Sequence, residues 1–162
     1  MRYDKVKKNA TQMLSVTGHT VDEFESLIPA FKHKWDEYYS HFTLKGKVRQ
    51  RISYNRKTSK IPLIEDKLLF ILSYLKNNPL QEYHGICFDM TQPQCCDWIH
   101  LLADILEKTL KSLGELPERN PLRVQYLLER CQDVLLDGTE RPIQRPQAED
   151  RQKSCYSGKK NA

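Results

Sequence analysis

Three sets of residues in this 162-residue chain have types and spacings that could do chemistry. The first is basic. Lys45, Lys47, Arg49, Arg51, Arg56, Lys57 and Lys60 follow one another with no acid between Thr43 and Lys60. Gly46, Ser53, Asn55, Thr58 and Ser59 lie among them, the composition of a polar loop or arm. Each cation laid on a phosphate would release a counterion, so contact with a polyanion is one reading. A solvated linker whose charge serves solubility is the other. The second set is polar and helical. Gln92, Gln94, Cys96, Asp97 and His100 fall outward on a helix whose inward positions include Cys95, Trp98 and Leu102. Gln can bond bidentately to adenine and Asp can accept from cytosine. The third is an acid, Asp137, which ends the apolar run Val134-Leu135-Leu136 and precedes Gly138.

The cysteines and histidines add less. Cys87, Cys95, Cys96, Cys131 and Cys155 include no C-x-x-C pair, and their odd number fits reduced thiols. Cys95 and Cys96 are neighbours on a helix and point about 100° apart, which does not suit a shared metal ion. Cys95 and Cys131 read as small core residues. The histidines form no catalytic pattern.

The elements that must position these residues are mostly helices. Thr20-Val21-Asp22-Glu23 is a capping box, and Phe24, Leu27, Ile28 and Phe31 follow at helical spacing. Pro29 is expected to kink or split that helix. Trp35, Tyr38, Tyr39 and Phe42 continue its apolar stripe as core. Ile64, Leu68, Ile71, Leu72 and Leu75 predict a helix over 64–77, which Asn77-Asn78-Pro79 stops. A short helix over 80–86 and a turn follow. Thr91 as N-cap and Pro93 in the first turn then open a helix over 92–113, with Cys95, Trp98, Leu102, Ile105, Leu106 and Leu113 on one face and Gly114 at its end.

Helices 64–77, 80–86 and 92–113 make the trihelical helix-turn-helix plan, in which the third helix enters the major groove. Its inward positions are expected to be Tyr83, Ile86, Met90, Cys95, Trp98 and Leu102. Residues 121–131 predict a short helix with Val124, Leu127, Leu128 and Cys131 inward. The stretch from Val134 to Ile143 reads as a buried strand with a turn at its end.

Charge is polarised along the chain. Residues 1–64 carry 13 Lys+Arg against 6 Asp+Glu, residues 65–114 carry 4 against 7, and residues 115–162 carry 9 against 8. The overall +5 is therefore concentrated before the helix-turn-helix, which is itself mildly acidic. Phosphate contacts are expected from the first block and base reading from residues 92–100, a pattern that favours DNA binding over a plain helical bundle. No apolar run approaches the ~20 residues of a membrane helix. Met1 to Lys8 is basic but leads into no apolar core, so a cytosolic chain without membrane partners is expected.

One segment carries a more specific signal. Leu135-Leu136-Asp137-Gly138-Thr139-Glu140-Arg141-Pro142-Ile143, followed by Tyr156-Ser157-Gly158-Lys159-Lys160, closely resembles the start of the catalytic domain in DDE transposases of the insertion sequence 5 family. Leu14 to Phe24, Leu63 to Leu69 and Met90 to Ile99 resemble the same family's upstream helices. The resemblance implies a mainly α chain: a helical N-terminal region with a trihelical helix-turn-helix, then the first β-strand and turn of a truncated RNase H-like domain. The expected division is 1–60 (N-terminal helix and basic arm), 61–114 (helix-turn-helix) and 115–162 (truncated catalytic start).

The resemblance also implies a role. Asp137 aligns with the family's first catalytic Asp, a carboxylate ligand for a divalent metal. Hard cations such as Mg²⁺ prefer oxygen ligands, and a metal pair can drive in-line displacement at phosphorus. The family's second Asp and its Glu lie well beyond Y-S-G-K-K. Glu149 and Asp150 match neither, and Glu140 takes no catalytic role. Mg²⁺ is therefore expected only for the complete catalytic domain, with no cofactor for this fragment alone. The expected partners are double-stranded DNA at transposon terminal repeats, and the second part of the transposase or another copy of this chain. A place in the prokaryotic cytosol or nucleoid follows. Lys159-Lys160-Asn161 is compatible with an A-rich slippage site that joins two reading frames, and a decayed copy is the other origin. The alternative from a different class is a helical DNA-binding repressor or regulatory module.

Overall fold

A computed structural model describes residues 1–50, 59–117, 120–130 and 147–154. Among these the secondary structure is helical: α1 (Tyr3–Val6), α2 (Ala10–Thr17), α3 (Val21–His41), α4 (Ile64–Asn77), α5 (Gln81–Cys87), α6 (Gln92–Leu113), α7 (Pro121–Leu128) and α8 (Glu149–Ser154). The chain forms two compact units, Met1–Pro117 and Glu118–Ala162. No helix among the described residues is long and apolar enough to cross a membrane. The strand expected over 134–143, with Asp137, Cys131 and the Y-S-G-K-K segment, lies outside the described residues.

Local chemistry sets the helix ends. Thr20 N donates to Glu23 Oε2 at 2.8 Å, and Glu23 N donates to Thr20 Oγ1 at 3.3 Å, so two orphan donors at the start of α3 are satisfied reciprocally. Asn78 ends α4 with φ 43°, a left-handed conformation that Asn tolerates, and Pro79 bars continuation. Gly114 ends α6 at φ 77°. Pro29 neither splits nor ends α3, which runs unbroken for 21 residues. Phe24 and Phe31 are buried on either side of Pro29, with Trp35 a turn further on, and this packing outweighs one lost backbone bond.

The first unit is built around α4. Every residue from Asp66 to Ser73 is buried, because α1, α2, α3 and α6 all pack against this helix. Leu75, expected inward, is exposed near its end, and Leu113 is likewise exposed in the last turn of α6. Two charges are buried with the apolar side chains. The Asp66 carboxylate accepts from Arg2 Nη1 and from Tyr3 N, each at 2.8 Å. Lys67 Nζ donates to Ile61 O at 2.8 Å and Pro62 O at 2.9 Å, and lies 4.8 Å over the Trp35 ring. Both charges are thus paired or hydrogen-bonded, as burial requires. The first residues are more than a basic lead-in. Tyr3 stacks on Phe24 at 4.7 Å, and the Met1 amino group donates to Cys87 O.

In the second unit α7 is capped by Asn120, whose Oδ1 accepts from Leu122 N at 3.0 Å. Its expected inward face is not buried where it is described: Leu127 and Leu128 are exposed and Val124 is half-buried. Leu122, outside that face, is 77% exposed.

Candidate nucleic-acid interface

α4, α5 and α6 form the helix-turn-helix, and Gly85 explains how tightly they close. A Cβ on Gly85 would stand 2.8 Å from Met90 O and 3.5 Å from Cys95 Cβ. Only a hydrogen at that position lets α5 lie on the turn and the first turn of α6. Met90 N donates to Gly85 O at 2.8 Å, and Asp89 takes φ 58° to bring the chain round. This close approach fixes the rotation of α5, and here the structure corrects the sequence. Tyr83 and Ile86, expected inward, are 65% and 69% exposed, while His84 and Gly85 face the core. Met90, Cys95, Trp98 and Leu102 are buried as expected.

His84 is the central polar group of the motif. Its ring lies 4.5 Å from Phe70, 5.1 Å from Phe88 and 5.4 Å from Tyr74. Nε2 lies 3.1 Å from Phe70 O, an acceptor, so Nε2 carries a proton and donates to it. Burial lowers the His84 pKa, and the Phe70 carbonyl opposes that only in part.

Thr91 opens α6, with its N–H donating to Gln94 Oε1 at 3.2 Å. The side-chain oxygen of Gln94 therefore serves the helix start. Gln92, Gln94, Asp97 and His100 are all exposed on the first turns of α6, and Cys96 is half-buried. Gln92 Nε2 donates to Gln81 Oε1 at 2.7 Å. Gln81 is a residue of this surface that sequence reasoning does not single out. Its place at the head of α5, matching that of Gln92 at the head of α6, is the signal that could have found it.

The basic stretch is ordered where it is described. Phe42 and Val48 form an antiparallel bridge, Thr43 N donates to Lys47 O at 2.8 Å, and Gly46 turns the chain at φ 71°. Lys45 and Lys47 are exposed on this small hairpin. Arg49 is half-buried: its Nε donates to Phe42 O at 2.7 Å and its guanidinium lies 4.1 Å over the Tyr39 ring. Tyr39 stacks on Trp35 at 5.0 Å, and Trp35 on Trp98 of α6 at 5.9 Å. Arg49 is thus the outer member of a stack that ties the hairpin to α6. Arg51, Arg56 and Lys57 lie outside the described residues.

The hairpin and α6 share one concavity of about 310 Å³, lined by Lys45, Lys60, Gln94 and Asp97 among others. Lys67 contributes to its wall, and burial pulls the Lys67 ammonium down to about 8, opposed by the nearby Asp66 and Glu65. Of the residues singled out in the sequence, Lys45, Lys60, Gln94 and Asp97 thus line one concavity. Among the described residues no three His, Cys, Asp or Glu side chains gather in a way that could hold a metal ion. Cys87, Cys95 and Cys96 are free thiols, and burial pushes Cys95 up to about 11.

Residues 60–112 match the family described as helix-turn-helix of DDE superfamily endonuclease. The match covers α4, α5 and all but the last residue of α6. No curated protein matches the chain, and no solved structure does.

Proposed function

We propose that this chain is the DNA-binding N-terminal portion of an insertion-sequence transposase and recognises the ends of its element. The observation that carries the reading is the match of residues 60–112 to a helix-turn-helix of DDE endonucleases, on a segment whose third helix leaves Gln92, Asp97 and His100 exposed on its opening turns. The major groove admits an α-helix and displays a distinct donor and acceptor pattern for each base pair. Asp97 can accept from cytosine N4, and Gln92 can pair with adenine. Lys45, Lys47 and Lys60 supply the phosphate contacts that offset the acidic charge of residues 65–114.

The catalytic part of the reading rests on the D-G-T-E and Y-S-G-K-K segments. Asp137 would give one carboxylate to a divalent-metal site completed by residues that a longer catalytic domain supplies.

Gel retardation tests this, using the full chain and duplex DNA flanking its reading frame. Binding should weaken steeply between about 50 and 200 mM salt. Replacing Lys45 and Lys47 by Ala should lower affinity for all sequences alike and flatten the salt slope by about 0.9 for each phosphate no longer neutralised. No retardation at low salt overturns the DNA reading. Binding to symmetric sites with no preference for element ends would favour the repressor alternative.

A further inference from the structure

Gln81 and Gln92 are the first residues of α5 and α6, and their side chains meet across the helix-turn-helix, with Gln92 Nε2 donating to Gln81 Oε1 at 2.7 Å. The backbone keeps the two helix starts at this distance. Gly85 is pressed against Met90 O, and Met90 N is bonded to Gly85 O, so α5 and the start of α6 have little room to slide.

The consequence concerns which edge Gln92 offers. The terminal amide of an exposed glutamine has a broad, two-fold torsion, and its two orientations exchange oxygen for nitrogen. Gln92 has one N–H committed to Gln81. Its second N–H and its oxygen have no partner among the described residues. Adenine presents an acceptor, N7, beside a donor, N6–H₂, whereas guanine presents two acceptors. An amide held with its oxygen and one N–H directed away from Gln81 matches adenine and mismatches guanine. Gln94 is not equivalent, because its oxygen accepts from Thr91 N.

Resting on the DNA-binding reading above, we propose that Gln81 is a positioning residue. It fixes the amide orientation of Gln92 and so sets a preference for adenine at one base pair of the target. Gln81 acts through Gln92 and touches no base. Its removal leaves Gln92 in place but lets the amide turn over, so discrimination falls while α6 stays docked. The fall should be about three- to tenfold, the scale of one net hydrogen bond.

The test uses the full chain and a random-sequence duplex library. Selected duplexes are measured at equilibrium, with each base pair varied in turn, for the parent and for Gln92→Ala, Gln81→Ala and Gln81→Glu. Gln92→Ala should abolish the preference for adenine at one pair and so identify it. Gln81→Ala should reduce that same preference about three- to tenfold and leave the other pairs unchanged. Gln81→Glu keeps the acceptor and has no donor, so it should restore the preference even though its charge weakens binding to every duplex. An unchanged adenine preference in Gln81→Ala overturns the inference alone. So does an equal fall in preference at all pairs, which is what a merely structural role gives, or a base other than adenine at the pair that Gln92 reads. A parent chain that selects no duplex overturns the DNA reading and the inference with it.

Discussion

α4 and α7 carry the same kind of apolar repeat and meet opposite fates. In α4 eight consecutive residues, Asp66 to Ser73, are buried beneath α1, α2, α3 and α6. In α7 no residue is buried, and Leu122, Leu127 and Leu128 are exposed. The difference lies in what surrounds each helix. A periodic pattern specifies which face of a helix prefers to leave water, but another element must come to cover it. Full burial of a Leu or Phe side chain is worth about 1.5–3 kcal/mol. An eight-residue helix that gains little from burial is marginal for its length.

The sharpest way to break this comparison is to truncate one side chain in each helix. Phe70 of α4 is fully buried, with its ring 4.9 Å from that of Phe88. Phe70→Ala should cost about 3–5 kcal/mol, from forfeited transfer energy and the cavity left behind. Leu127→Ala on α7 should cost under about 0.5 kcal/mol, as for an exposed site away from special features. Urea unfolding of both variants measures the pair. Similar costs would mean that α7 is covered after all.

The same contrast explains what could be read before the structure. Helix ends rest on local chemistry, and Thr20, Asn78, Thr91, Pro93 and Gly114 mark them at or within a residue of their observed positions. The bounds 64–77 and 92–113 are legible for that reason. The rotation of α5 is not, because seven residues hold less than two full turns. Tyr83 and Ile86 look more apolar than His84 and Gly85, yet the close approach of Gly85 to Met90 decides which side faces in. Asp66 and Lys67 are illegible as buried charges, since their partners, Arg2, Tyr3, Ile61 and Pro62, are brought up by tertiary packing. Gln92, Gln94, Asp97 and His100 are legible as outward residues because helical spacing alone settles that. The bond from Gln92 to Gln81 joins two helices and has no sequence period.

α4 also differs from α7 in burying a cation, and pH exposes the cost. The Lys67 pKa is about 8 in the folded chain, against 10.5 ordinarily, because burial disfavours its charge. Below about pH 8 Lys67 is protonated in both states, and the folded state bears the full penalty. Between about pH 8 and 10 the unfolded chain binds more protons, so this group makes stability rise with pH. Lys67→Met removes the titration. The stability difference between parent and variant should shift by about 1–3 kcal/mol in the parent's favour across that window. Taking the difference cancels Tyr3 and Cys95, whose raised values act in the opposite direction. Urea unfolding at the two ends of the window checks it, and a constant difference would show that the ammonium is not desolvated.

His84 gives the smallest effect and tests the join between α4 and α5. Its pKa is lowered by burial first; the bond to Phe70 O opposes this, and the amino terminus adds a little to the lowering. Above about pH 6.5 the ring is neutral in both states, and its contribution is fully present. As pH falls below that value, the unfolded chain takes up a proton that the folded chain resists. Stability is therefore lost until the folded pKa is passed. His84→Gln keeps a donor for Phe70 O and does not titrate, so the variant should lose less stability than the parent on acidification. The effect should also be local. Hydrogen exchange at the buried end of α5 should quicken in acid for the parent and not for the variant, while α7 exchanges alike in both. Equal acid slopes for parent and variant would mean that water reaches His84, and that α5 is less firmly seated on α4 than Gly85 and the Phe70–Phe88 pair imply.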